Sequence, residues 1–165
     1  MLSAIDEPGL IVGHRGAASL APENTLSSAR KALSTGADMW ELDVALSADD
    51  VPFLIHDDHL RRTSDAPQVF PDRSPWRPDQ FTWEELRRLD FGSWYATKDP
   101  FGQIAQGAVS PEEAAAFRGL KAPSLAEALA FTRERNWRVN VEIKDLSDAP
   151  GPGRVVRLVV ERILD

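Results

Sequence analysis

Met39-Trp40-Glu41-Leu42-Asp43-Val44-Ala45 alternates residue by residue. Trp40, Leu42 and Val44 fall on one side of an extended chain. Met39, Glu41 and Asp43 fall on the other. That period of two predicts a β-strand over residues 39–45. Asp49-Asp50 marks a turn into a second extended run, Val51 to His56, so a hairpin is expected. A second alternating stretch lies far downstream, from Arg138 to Ile143. Here Val139, Val141 and Ile143 share one face, and Asn140, Glu142 and Lys144 share the other. Upstream, Leu10 to Gly13 reads as a short apolar strand.

Helical signals fill the gaps between these strands. From Asn24 to Ser34, Leu26, Ala29, Ala32 and Leu33 lie on one helical face, and Gly36 stands where a C-terminal cap is expected. Ser124-Leu125-Ala126-Glu127 is a capping box that opens a helix to about Glu134. Asp148 to Gly153 reads as a turn, and Val155 to Leu164 as an apolar helix. Strand–helix–strand, then helix–strand–helix, predicts right-handed βαβ units and a parallel sheet. Strands of open doubly wound sheets read as near-continuous apolar runs. Carboxylates near the C-terminal ends of two strands favour a barrel instead, where that rim carries the active site.

Between Asp57 and Ala122 the texture changes. Proline is frequent and strands are hard to place. Thr82 to Leu89 and a helix opened by Ser110-Pro111-Glu112-Glu113 are expected there, the latter a capping box with proline at the first helical position. Residues 57–122 therefore read as an insertion with its own small helices, since a structureless loop of that length does not suit a compact domain. Trp76, Trp83 and Trp94 fit a satellite core; lining a substrate groove is the alternative.

The bulk properties narrow the function. A chain of 165 residues fits one domain, and 42% hydrophobic with 27% charged residues is ordinary for a globular protein. A net charge of -7 argues against nucleic acid and anionic membranes as partners, though not against a small anionic substrate in a locally positive site. Without cysteine there is no disulfide and no thiolate metal site. No apolar stretch approaches the ~20 residues of a membrane span. Residues 1–10 contain Asp6, Glu7 and Pro8 and do not resemble a secretory signal, so a cytoplasmic location is the default expectation.

Glu41 and Asp43 share a strand face at roughly 7 Å along the backbone. Two carboxylates that close repel unless a positive charge lies between them. A hard divalent cation such as Mg2+ or Ca2+ answers that need, with Glu142 completing the set. The alternative is an exposed polar strand face satisfied by lysines. His14 and Arg15 stand between Gly13 and Gly16, which let the backbone bend around a ligand. Arginine suits a phosphate and histidine suits proton transfer. His56 is a candidate partner acid or base, against the alternative of structural histidines. Lys144 either binds phosphate beside the metal or pairs with Glu142. Asp57 is expected to cap the next loop, because it points away from His56. His59 is read as a loop residue.

Taken together these motifs resemble the glycerophosphodiester phosphodiesterase family. The resemblance rests on His14-Arg15-Gly16, Ala21-Pro22-Glu23-Asn24-Thr25 and Gly36-Ala37. It continues through Glu41-Leu42-Asp43-Val44 and His56-Asp57 with Leu60, Arg62 and Thr63. Leu86, Leu89-Asp90, Gly92-Ser93-Trp94, Pro123-Ser124-Leu125 with Glu127, and Asn140-Val141-Glu142-Ile143-Lys144 complete it. Asp50 departs from the family's frequent glycine in the hairpin turn.

The resemblance implies a (β/α)8 barrel and hydrolysis of a glycerophosphodiester to an alcohol and glycerol 3-phosphate. It implies a divalent cation held by Glu41, Asp43 and Glu142, an acid/base pair of His14 and His56, and phosphate binding by Arg15 and Lys144. A glycerol hydroxyl would attack phosphorus, a histidine would protonate the leaving group, and water would open the cyclic phosphate. Such a barrel needs ~250 residues. The chain is thus expected to hold its first three βα units, with weak or no activity alone and self-association through the open sheet edge. Two other readings stand beside this one: a non-catalytic remnant or assembly module, and phospholipase D-type action on lysophospholipid or sphingomyelin.

Overall fold

The computed structural model describes residues 9–144 and 152–164. The N-terminal residues 1–8 and most of the turn expected over 148–153 lie outside the described residues. Four strands form one sheet: β1 (Val12–Gly13), β2 (Met39–Leu46), β3 (Pro52–Leu54) and β4 (Arg138–Ile143). β2 is the organising strand. It runs parallel to β1 and to β4, and antiparallel to β3. Val44 pairs with both Leu54 and Ile143, so β3 and β4 take opposite edges of β2. β1 occupies the edge that β3 uses further along. The expected hairpin is present, and its turn places Asp50 at φ 65°, the left-handed geometry that glycine adopts at least cost.

β1 and β3 are shorter than the sequence pattern implies, for backbone reasons. Beyond Gly13 the chain turns sharply, with Arg15 at φ 52° and Gly16 at φ 80°. In the returning strand the Leu54 N–H goes to the Pro123 carbonyl, outside the sheet, while the Ile55 N–H returns to the Asp43 carbonyl at 3.1 Å.

Helix α1 (Leu26–Ser34) starts two residues later than expected because Thr25, not Asn24, is its cap. The Thr25 hydroxyl accepts from the Ser28 N–H, and Asn24 at φ 54° lies outside the helix. The insertion is richer than the pattern shows. It contains α2 (Ala66–Val69), α3 (Trp83–Leu86), α4 (Ser93–Lys98) and α5 (Pro111–Ala116), with three short 3-10 turns. The capping boxes at Thr82 and Ser110 form as expected. α2 and α4 lack a side-chain cap bond, which is why the sequence does not announce them. Helices α6 (Leu125–Glu134) and α7 (Pro152–Leu164) flank β4 in sequence.

The two faces of β2 do different work. Trp40, Leu42 and Val44 are fully buried against α1, α6 and α7. The Trp40 ring stacks on Trp137 at 6.1 Å, and its Nε1 donates to the Thr132 hydroxyl at 3.0 Å, so its polar edge is satisfied inside the core. The opposite face carries Glu41, Asp43 and then Ala45. Ala45 joins Phe53, Ile55, Phe81 and Leu89 in a second core formed with the insertion. Trp76 and Trp83 pack on that core, and Trp94 on a third around Tyr95 and Phe117. The satellite-core reading of these tryptophans therefore holds. The Tyr95 hydroxyl donates to the Ser19 carbonyl, tying the insertion to the loop between Arg15 and Asn24.

Candidate active site

The carboxylates of β2 are buried, contrary to the alternative of an exposed polar strand face. Asp43 is 0% and Glu41 6% exposed. β4 places Glu142 directly beside Asp43 in parallel register, at the open side of the cluster. Glu41, Asp43 and Glu142 each offer an oxygen within 4.8 Å of the others, the group of this kind found among the described residues.

The loop after β1 builds the second wall. Gly16 is held against α1, where a Cβ would lie 2.4 Å from the Ser28 hydroxyl. Ser28 in turn donates to the Arg15 carbonyl at 2.9 Å. This close approach aims the Arg15 N–H at Glu41 Oε2, 2.8 Å away. Arg15 Nε lies 3.3 Å from Asp43 Oδ2. His14 projects outward, with Nε2 4.0 Å from Glu41 Oε2 and its side chain largely exposed.

Asp43 receives a further clamp. Asn24 Nδ2 donates to Asp43 Oδ2 at 2.8 Å, and Asn24 Oδ1 accepts the Asp43 N–H at 3.1 Å. The side chain thus stands in for a strand neighbour between the ends of β1 and β3. Lys144 follows β4 and lies 2.9 Å from Asp43 Oδ1, with a closer contact to Glu142. The ion-pair alternative for Lys144 is the arrangement present: its ammonium bridges Glu142 and Asp43 beside the cluster.

Burial raises the Glu41 carboxyl above its ordinary value, and the neighbouring Asp43 and Glu142 charges add to this. The Arg15 N–H opposes the rise without cancelling it. Burial works against the Lys144 ammonium, yet Glu142 and Asp43 hold its pKa above the ordinary value. Asp43 Oδ1 is buried against the Lys144 ammonium at 2.9 Å, and Glu41 Oε1 is buried with no hydrogen-bond partner among the described residues. Buried carboxylate oxygens left this way are costly. Three carboxylates whose oxygens lie within 4.8 Å, one of those groups carrying a buried unpartnered oxygen, suit a hard divalent cation.

His56 follows the second strand of the hairpin, two residues beyond the end of β3. Its Nδ1 is 2.7 Å from Asp57 Oδ1. Asp57 does not cap the following loop as expected. Its carboxylate turns back to His56 and to Arg62, whose Nε and Nη2 donate to it at 2.6 and 2.9 Å. The backbone leaves the strand after Leu54, so strict alternation no longer applies at 56–57. Burial disfavours the Asp57 charge, but Arg62 and His56 outweigh it and hold its carboxyl far below the usual range. His59 precedes a 3-10 turn, with Nδ1 4.0 Å from Asp57 Oδ2.

The family model for the glycerophosphoryl diester phosphodiesterases matches residues 14–165, from the first histidine of this site onward. The chain belongs to that family. A human glycerophosphoinositol inositolphosphodiesterase is 43% identical over 138 residues, which is 84% of this chain and 25% of the relative. An Oleispira antarctica phosphodiesterase, solved with its product sn-glycerol-3-phosphate, superposes with a TM-score of 0.71 at 28% identity, covering 95% of this chain and 52% of that one. A glycerophosphodiester phosphodiesterase from Agrobacterium tumefaciens gives 0.65 at 33% identity, covering 93% and 53%. The chain thus spans about half the length of these solved structures and a quarter of the human relative.

Three groups of this family member's site escape sequence reasoning by role. Glu23 and Asn24 stand in a quoted motif, but nothing local says that one meets two arginines and the other Asp43. Arg62 is likewise visible only as a motif residue. Positive φ at Asn24 is the signal within reach, because asparagine tolerates left-handed backbone better than most residues.

Proposed function

We propose that these residues form the cation-binding and acid/base part of a phosphodiesterase that hydrolyses glycerophosphodiesters to an alcohol and glycerol 3-phosphate. In this reading the sheet is the first three βα units of a (β/α)8 barrel, 57–122 is an insertion within the catalytic domain, and the inner face of β2 carries the chemistry. The observation that carries it is the convergence of three carboxylates whose oxygens lie within 4.8 Å, with Glu41 Oε1 buried and unpartnered among the described residues, beside Arg15 and Lys144.

Glu41, Asp43 and Glu142 would hold Mg2+ or Ca2+, which supplies charge neutralisation for a phosphoryl oxygen when bound. Arg15 and Lys144 bring positive charge to the same place and orient the phosphate. His56 is prepared as a base. The ionised Asp57 can only accept, so it fixes the proton on Nδ1 and leaves Nε2 with a lone pair. A glycerol hydroxyl gives its proton to Nε2 as its oxygen bonds phosphorus. The bond to the leaving oxygen breaks, and His14 donates a proton to that oxygen. In the second half the roles reverse. His14 takes a proton from water as the water oxygen attacks phosphorus, and His56 returns its proton to the released glycerol oxygen.

Phosphorus NMR of glycerophosphocholine or glycerophosphoinositol with protein and Mg2+ tests this. Slow growth of the glycerol 3-phosphate resonance with wild type, lost in His56→Ala, supports it; slow turnover is expected because the Glu142 side chain is half exposed to solvent. No growth above a protein-free control refutes hydrolysis by these residues. The human relative's name favours a second reading, glycerophosphoinositol as the diester. The same spectra decide it, by comparing the two diesters and by showing whether phosphate remains on glycerol or on inositol.

A further inference from the structure

Glu23 touches neither the carboxylate cluster nor either acid/base histidine, yet it is buried between two guanidinium groups. Its Oε1 accepts from Arg15 Nη1 at 3.0 Å and from Arg62 Nη2 at 2.7 Å, while Oε2 accepts from Arg62 Nη1 at 2.8 Å. Arg62 uses its other edge on Asp57, which holds His56 Nδ1. Arg15 continues in the opposite direction to Asp43. From His56, the residues Asp57, Arg62, Glu23, Arg15 and Asp43 thus form one unbroken file of alternating charge, and Glu23 is its midpoint.

A buried ion pair adds little net stability over apolar packing, so stability alone is a poor reason for this arrangement. What the file does is fix orientation. The Arg62 fork needs two acceptors on Glu23, and Arg15 needs the same Oε1 that Arg62 uses. Burial works against the Glu23 charge, but Arg62 and Arg15 overcome it, so the carboxyl stays below its ordinary value and ionised at neutral pH. We propose that Glu23 is a positioning residue that couples the two halves of the site: it aims Arg15 at the phosphate and, through Arg62 and Asp57, fixes which nitrogen of His56 carries the proton. The proposal rests on the hydrolytic reading given above.

Glu23→Gln is the direct test. It preserves shape but sets an NH2 group against the Arg62 fork. Two quantities are read on the full chain in Mg2+ buffer: affinity for sn-glycerol 3-phosphate by calorimetry, and the His56 tautomer from ring 15N shifts at a pH where the ring is neutral. The expected result is about tenfold weaker binding, the loss of one charge-assisted bond, together with a mixed His56 tautomer in place of Nδ1–H. Arg62→Lys, a point charge that cannot serve both carboxylates, is expected to mix the tautomer as well, and it decides the question if Glu23→Gln does not fold. A purely structural Glu23 would lower the unfolding midpoint and leave affinity and tautomer unchanged in the folded protein, which overturns the proposal. A change in one readout without the other overturns the coupling. Wild type that binds no glycerol 3-phosphate refutes the hydrolytic reading instead, and the tautomer comparison then decides the role of Glu23 toward His56 alone.

Discussion

Asn24→Ala removes the clamp on Asp43, and its cost can be worked from the contacts. The Nδ2 bond to Asp43 Oδ2, 2.8 Å long, reaches a charged acceptor and contributes about 1.5 kcal/mol. The Asp43 N–H loses its acceptor in a buried place where neither β1 nor β3 can replace it, at about 1 kcal/mol. Asn24 sits at φ 54°, and alanine there costs about 1 kcal/mol more than asparagine. The expected loss is therefore about 3.5 kcal/mol. Urea unfolding measures it. With a slope of about 2 kcal/mol per molar, the midpoint falls by about 1.7 M. A loss under about 1 kcal/mol at unchanged slope would show that Asp43 is not held by Asn24, and the account of how β2 is braced between β1 and β3 would fail.

Gly16→Ala places a Cβ 2.4 Å from the Ser28 hydroxyl at φ 80°; a loss of about 2 kcal/mol or more in the same urea assay is expected, with weaker cation binding as the Arg15 N–H leaves Glu41. Glu41→Gln relieves a carboxyl whose ionisation burial opposes, so the cation-free protein is expected to melt higher while the stabilisation by added cation disappears, both read by thermal unfolding. Acid acts in the opposite sense through Glu23 and Asp57, whose folded-state values are depressed from 4.5 and 3.8. Their contribution is full above those values and is lost as pH falls below about 4.5 through the folded-state range, so stability measured against pH should drop there, and less steeply in Glu23→Gln.

The strand that carries Glu41 and Asp43 was legible because alternation on β2 has a single meaning when one face packs on helices. Trp40, Leu42 and Val44 went to the helical core as their spacing required. Capping boxes at Thr82, Ser110 and Ser124 were equally plain, since the partner glutamate sits three residues on in each case. α2 and α4 were not, because their N-cap residues make no side-chain cap bond and the helices pack on the insertion cores. Asp57 was misread because alternation was carried past the end of β3. Glu23 and Arg62 are 39 residues apart, and no local pattern encodes a meeting made by tertiary structure.

The central claim is that Glu41, Asp43 and Glu142 hold a divalent cation. Thermal unfolding of the wild-type chain across a titration of Mg2+ and of Ca2+ tests it most directly. A bound cation at one hundred times its dissociation constant adds about 2.7 kcal/mol to the folded state. The account predicts a midpoint that rises and saturates with one of these ions at millimolar concentration in wild type, and does not rise in Asp43→Asn. A wild-type midpoint that stays fixed with both ions through that range would contradict it.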